Sequence, residues 1–412
     1  MSIAASTESE EPLRGKRYSY AGVTFVLAAL SWIGPFSIDT YLPSLPSISQ
    51  SLNVSTAQVQ QTMTAFLFAY STMSLWHGAI SDAYGRRRLT LISIFVFIAA
   101  SVGCALSNSV LFLMIFRGVQ GATAGVGMIV GRAVVRDLFE GAEAQRLMSH
   151  VATIFTIAPV LAPVLGGWLQ VGFGWRSIFV FMAVLSGFVL LICWKALPET
   201  LPKENRQRLA PVYLVRSYWE VLTMPAFLLT CGSMAFTSVG FFIYILGAPI
   251  FLMQHLKLKE TQFLWLFLPI SVAMMIGAAI SGRFAGRISG KQTIFAGYAV
   301  MTIAAMGNVL LNLMLPPMVP WSILPVFLYV MGMSIAAPSM TLLALDLFPN
   351  QRGLAASCQG FISLSANSIV SAFVAFIWGT PLSLALTELV MLILGVITLL
   401  LYARTLKEEA ND

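Results

Sequence analysis

The sequence predicts an all-α membrane protein of twelve transmembrane helices, and three observations carry that reading. Hydrophobic residues make up 58% of the chain and charged ones only 10%, against about 25% charged in an ordinary soluble domain. Mean hydropathy is +0.83. The apolar residues also fall into runs divided by short polar or basic turns. Each run reaches the length of about 20 residues that a bilayer demands, and they lie at about 18–41, 56–80, 88–107, 109–135, 147–171, 175–196, 223–251, 261–282, 292–313, 320–345, 354–378 and 382–403.

The net charge of +7 is explained by a membrane and needs no nucleic acid. Lys and Arg collect on alternate connections. Arg14, Lys16 and Arg17 precede the first run, Arg86, Arg87 and Arg88 follow the second, and Arg132, Arg136 and Arg146 flank the 4–5 turn. Lys195, Lys203, Arg206, Arg208 and Arg216 fill the central loop, and Arg283, Arg287, Lys291, Arg352, Arg404 and Lys407 continue the pattern. The other side carries only Arg176, Lys257 and Lys259. By the positive-inside rule both termini are cytoplasmic. The chain then divides into a tail (1–17), a six-helix half (18–196), a cytoplasmic central loop (197–222), a second six-helix half (223–403) and a tail (404–412).

Enzyme and receptor classes find little support. The central loop is too short for a catalytic domain, and no nucleophile, base or metal cluster stands out. No cofactor is expected. The first apolar run is too long for a signal peptide and lacks a convincing cleavage site. Cys104, Cys193, Cys231 and Cys358 lie in different spans without metal-ligand spacing, as small buried thiols do.

Span 1 ends in Pro35-Phe-Ser-Ile-Asp39-Thr-Tyr-Leu-Pro43-Ser-Leu-Pro46. A carboxylate in an apolar span is rare unless it faces a water-filled cavity or a partner, so Asp39 is a functional candidate; the alternative is an interfacial Asp that starts the turn before Pro43. Trp32 and Phe36 share its helical face. Span 2 carries Gln61, Phe66 and Tyr70, then His77, Gly78, Asp82, Gly85, Arg86, Arg87 and Arg88. Gly78 permits close helix approach, Gly85 a tight turn, and Asp82 can engage an arginine or a helix N-terminus. Positive-inside bias alone accounts for the arginines but not for the glycines and the aspartate.

This run resembles the cytoplasmic loop 2-3 signature of the major facilitator superfamily. The resemblance implies two six-helix bundles around a central cavity, alternating access, and a cytoplasmic latch made by Gly78, Asp82, Gly85, Arg86 and Arg87. Span 4 holds Arg117 among Gly118, Gly121, Gly125 and Gly127. A cation there needs an anion, carbonyls or water. The span is similar to the fourth helix of the superfamily's proton-coupled exporters, which implies a proton-relay role for Arg117, with structural bracing as the alternative. In span 5, Pro159, Pro163, Gly166 and Gly167 resemble the antiporter signature of the superfamily's drug exporters, with Ala158 and Ala162 where glycine is commoner.

Together with span 1 and Arg136-Asp137-Leu138-Phe139, these features are similar to the bicyclomycin resistance (Bcr/CflA) family of drug:proton antiporters. That resemblance implies a monomer in the bacterial inner membrane, with a small-molecule substrate, protons and the lipid bilayer as its partners. It implies efflux of small, largely apolar drugs; export of an amino acid, siderophore or other physiological solute is the alternative.

The second half echoes the first, as parallel repeats do. Asp346-Leu347-Phe348 repeats Asp137-Leu138-Phe139, whereas Arg287 falls where Asp82 would. Phe236, Tyr244 and Phe361 could join Trp32, Phe36 and Tyr70 in an apolar substrate cavity, although aromatics on membrane helices commonly face lipid or pack a core. Span 6 closes with Leu197-Pro198-Glu199-Thr200 in the superfamily's manner. Glu388 is read as interfacial, with a second protonation site as the alternative. His77, His150 and His255 are read as wetted interface residues.

Overall fold

The computed structural model describes residues 20–206, 209–349 and 351–409. The expectations for the N-terminal tail with Arg14, Lys16 and Arg17, and for Arg208, lie outside them. Among the described residues the first half forms α1 (Tyr20–Asp39), α2 (Leu45–Leu52), α3 (Thr56–Tyr84), α4 (Arg86–Leu106), α5 (Val110–Ala124), α6 (Val126–Leu138), α7 (Gly141–Phe155), α8 (Ala158–Phe173) and α9 (Arg176–Ala196). The linker contributes α10 (Pro211–Leu222). The second half forms α11 (Pro225–Leu246), α12 (Leu264–Phe284), α13 (Gly290–Met314), α14 (Leu324–Asp346), α15 (Arg352–Phe373) and α16 (Pro381–Glu409).

These make twelve crossings, because α5 with α6 and α7 with α8 are each one span with an interruption. The first break falls at Gly125. The second falls at Thr156 and Ile157, just before Pro159, which has no N–H to continue the ladder. Eleven spans are long and apolar enough to cross a membrane on those grounds alone. The remaining one, α3, has 29 residues but is diluted by Gln60, Thr62, Ser71, Ser74, His77 and Ser81, all buried. Its polar side chains can stay in a membrane because they face protein: Gln60 donates across to Ser371 of α15, while Ser71, Ser74 and Ser81 donate to carbonyls of their own helix.

In the first bundle α1 packs on α6, α7, α8 and α9, while α3 packs on α5 and α4 on α9. In the second, α11 packs on α14, α15 and α16, and α13 on α14 and α16. The bundles meet through α3 against α15 and through α8 against α12 and the turn at Glu260–Gln262. The hydrogen bonds of the α3–α15 seam sit where α3 starts and α15 ends. Gln60 Nε2 donates to Ser371 Oγ at 3.2 Å, Thr64 Oγ1 to the same oxygen at 3.0 Å, and Gln61 Nε2 to the Ala372 carbonyl at 3.1 Å. That end, opposite the arginine-rich connections, is sealed.

Two neighbouring glycines show how close the seal is. A Cβ at Gly166 would run into the Thr40 carbonyl of the same bundle, and one at Gly167 into the Glu260 carbonyl of the other. At the basic end the linker is tied down: Tyr218 Oη of α10 donates to the Leu75 carbonyl of α3 at 2.6 Å. Around it Tyr218, Val221, Phe227, Cys231, Ala344, Ala355 and Cys358 form one small core. All four cysteines are free and buried. Phe25, Phe68, Phe95, Trp168, Phe188, Phe295 and Ile303 point outward as lipid-facing surface.

Candidate functional site: a buried carboxylate, an arginine and a basic-end network

The inward face of α5 carries Leu113, Arg117, Gln120, Gly121 and Ala124, the spacing of one helical stripe. That register, set by the apolar and small residues around it, drives Arg117 into the bundle, where it is 1% exposed. Nη1 donates to the Ser37 carbonyl and to Gln120 Oε1, both at 3.0 Å, and Nη2 contacts Met63 Sδ at 3.4 Å. The guanidinium lies between two rings, 4.3 Å from the Phe66 centroid and 4.7 Å from that of Tyr41. Cation–π attraction is worth about 2 kcal/mol or more when desolvated. Gln120 is itself fixed by Ser101 Oγ at 2.8 Å.

Asp39 closes α1 two residues beyond the carbonyl that holds Arg117. Its exposure is 6%. Among the described residues neither a hydrogen bond nor an ion pair engages it, and Arg117 does not reach it. Acid and base are thus neighbours along α1 without being partners in this conformation.

The six aromatics do not converge on one cavity. Trp32 stacks on Phe36 at 5.5 Å and donates its indole N–H to the Ile154 carbonyl at 3.0 Å. Tyr70 meets Phe66 edge-on at 6.1 Å. Phe236 packs near Gly395, Phe361 is half-buried, and Tyr244 is fully buried. A space of about 110 Å³ opens in the first bundle between Leu27, Ser31, Gly131, Arg132 and Phe155. Another of about 190 Å³ opens in the second between Thr237, Ser238, Tyr298 and Ser363.

At the basic end Arg86 is the hub. It pairs with Asp82, and its Nε reaches Asp137 Oδ2 at 3.2 Å. Asp137 also accepts from Thr200 Oγ1 at 2.6 Å. The N-terminus of α4 is capped by Glu199, whose Oε1 accepts the Arg86 backbone N–H at 2.9 Å and whose other oxygen lies 3.5 Å from Arg206. Arg87 binds the Trp194 carbonyl at 2.7 Å. Gly85 has a φ of +100°, and a Cβ there would strike the Glu199 carboxylate, so the turn requires glycine. A Cβ at Gly78 would meet nothing within 4 Å, so the close approach it permits is not used here. Asp82 engages an arginine, as expected, while Glu199 takes the helix N-terminus.

Asp82 keeps 39% of its side chain exposed, and an exposed pair contributes about 0 to 1 kcal/mol. Asp82→Asn should therefore leave folding intact. Turnover should slow modestly with substrate affinity largely kept, through a shift between conformations of up to about 1 kcal/mol. Cysteine-accessibility labelling at both ends checks it; an unchanged pattern rules out the latch.

Two expectations are corrected. Glu388 is not interfacial: its exposure is 0%, and Asn308 Nδ2 donates to it at 2.6 Å. His77 is not wetted but 1% exposed, on α3 and packed against the Gly125 break. His255 is half-buried against the Trp378 carbonyl at 2.8 Å, and His150 meets Tyr20 Oη at 2.8 Å. The signal for Glu388 was present in the sequence: Asn308 and Asn312 stand four apart on an otherwise apolar span, a polar stripe that needs a polar partner.

Two six-helix membrane bundles with ionisable side chains buried in both, Asp39 and Arg117 in the first and Glu388 in the second, have the architecture of a multi-pass membrane transporter. The chain belongs to the Major Facilitator Superfamily, whose family pattern matches residues 24–375. It is 33% identical over 355 residues to the uncharacterized MFS-type transporter YdgK of Bacillus subtilis, covering 85% of this chain and 88% of that one. It is 26% identical over 349 residues to a bicyclomycin resistance protein homolog of Haemophilus influenzae, covering 85% and 87%. The crystal structure of a D-xylose-proton symporter has the same fold, with a TM-score of 0.70 at 16% identity over 92% of this chain and 97% of that one.

Proposed function

We propose that this transporter exports small, largely apolar drugs in exchange for protons, by alternating access of two six-helix halves (18–196 and 223–403). It works as a monomer in the bacterial inner membrane, with both termini and the basic end in the cytoplasm. One observation carries the reading: Asp39 is buried and, among the described residues, held by no cation or donor, so its proton occupancy is free to follow access and substrate. Arg117 supports it, because a cation braced on the Ser37 carbonyl stands ready for the Asp39 charge once the proton leaves. Coupling then needs only that substrate and proton favour different states of one equilibrium. Gly167, on the face it shares with Pro159, Pro163 and Gly166, seals the outer side against Glu260, and Asp82 with Gly85, Arg86 and Arg87 latches the inner one. Trp32, Phe36 and Tyr70 of the first half and Phe236, Tyr244 and Phe361 of the second share no cavity in this sealed conformation and come to face the substrate path as the halves part. The name of the Haemophilus relative agrees with a drug as cargo.

Everted vesicles energised with a pH gradient test this directly. Bicyclomycin should accumulate in them and leak out when a protonophore is added. Accumulation that survives the protonophore would sink the antiport reading.

A further inference from the structure

Glu388 lies far from Asp39 in sequence and in the other bundle, and its surroundings can be counted atom by atom. It sits on α16 about two turns, roughly 10 Å, in from Pro381, with no exposed surface. Its Oε2 accepts from Asn308 Nδ2 at 2.6 Å, and the same amide donates to Tyr244 Oη at 2.7 Å. Asn312 Nδ2 donates to Asn308 Oδ1 at 2.9 Å, which fixes the amide so that its nitrogen, not its oxygen, is turned to Glu388. Glu388 Oε1 is buried with no partner.

Among the described residues the neighbouring helices supply no charge to balance an anion. Tyr244 of α11 and Tyr329 of α14 are the titratable side chains close enough to interact with it. Helix α13 presents Asn308 and Asn312, and its Tyr298 is engaged by Ser233 Oγ at 2.5 Å. Lys291 and Arg404, the cations of α13 and α16 among residues with described side chains, sit at the basic end. An ionised carboxyl would leave Oε1 as a buried charge without donor or cation, the costliest arrangement in a membrane interior. A neutral carboxyl keeps Oε2 as the acceptor for Asn308 and carries its hydrogen on Oε1, where a neutral hydroxyl buried without a partner costs far less than a buried charge would.

We propose that Glu388 is a second proton-binding site, occupied in this conformation and emptied when α11 moves. The mover is built into α11. Tyr244 stands just before Gly247, where the helix passes into a π-helical stretch at Pro249–His255, a geometry frequent at functional sites. His255 of that stretch is bonded to the Trp378 carbonyl at 2.8 Å, in the turn that leads into α16. Opening the sealed end would draw this stretch and the start of α16 apart and admit water to Glu388. Its place in transport rests on the proton-exchange reading above; the bound proton does not.

Infrared spectroscopy of the purified protein in lipid nanodiscs reads the proton itself. A protonated-carboxyl band at neutral pH should vanish in Glu388→Gln, persist in Asp39→Asn, and lose intensity as the pH is raised. Tyr244→Phe, which removes one hydroxyl and keeps the ring, should retain the band at a shifted frequency and so reports the site even where Glu388→Gln folds poorly. A band unaffected by both Glu388→Gln and Tyr244→Phe overturns the proposal. So does a band that belongs to Glu388 but neither titrates nor exchanges in deuterated water, which marks a permanently sealed acid. If proton-driven transport fails while this band behaves as described, the fault lies with the antiport reading and not with the site.

Discussion

Asp39→Asn is expected to abolish proton-driven efflux while leaving folded protein in the membrane. Asparagine keeps the shape of the side chain and removes its proton exchange. No hydrogen bond or ion pair holds Asp39 among the described residues, so the substitution breaks no network and exchanges one buried polar group for another of the same shape, and folded protein should be retained. Arg117 should stay in place, because its partners are the Ser37 carbonyl, Gln120, Met63 and two aromatic faces rather than the carboxylate. Proteoliposomes holding the variant should still bind drug but should not concentrate it against a pH gradient. Efflux at the wild-type rate would remove Asp39 from the mechanism.

Gly167→Leu is expected to stall the transporter with its fold intact. A side chain at 167 strikes the Glu260 carbonyl, which belongs to the opposite bundle. Overpacking of this kind costs about 1 to 3 kcal/mol, and the strain can be relieved by letting the bundles part at the sealed end. The equilibrium should therefore move away from the conformation seen here by roughly 5- to 150-fold. Transport should fall much more than drug affinity. Gly166→Leu is the contrasting case: its side chain strikes Thr40 within the first bundle, beside Asp39, and loss of folded protein is expected. Drug binding and transport that fall equally in a folded Gly167→Leu protein would end the sealing interpretation.

How much could be read from residues alone follows a physical line. Apolar runs report lipid exposure, so eleven spans are plain on hydropathy alone; the run at 56–80, α3, is the least apolar because its buried Gln, Ser and Thr face protein. The signature around Asp82, Gly85 and Arg86 was legible because a tight turn and an ion pair are local. Its full network was not, since Asp137, Glu199, Thr200 and Arg206 arrive from far along the chain. Glu388 was misjudged for the same reason. Distance from a helix end suggests a depth, whereas burial depends on which neighbour covers the residue, and that is settled by Asn308 eighty positions away. Arg117 was recognised as buried, but its aromatic sandwich depends on the rotation of α1 and α3 about it.

The four buried thiols have a practical consequence for watching this protein at work. Cys104 and Cys193 are locked inside the first bundle, while Cys231 and Cys358 sit in the small core where α10, α11 and α15 gather at the basic end beside Leu75 of α3. A water-soluble maleimide should find the resting molecule nearly inert without any native cysteine being removed. Each reporter thiol introduced at either mouth is then read against a silent background.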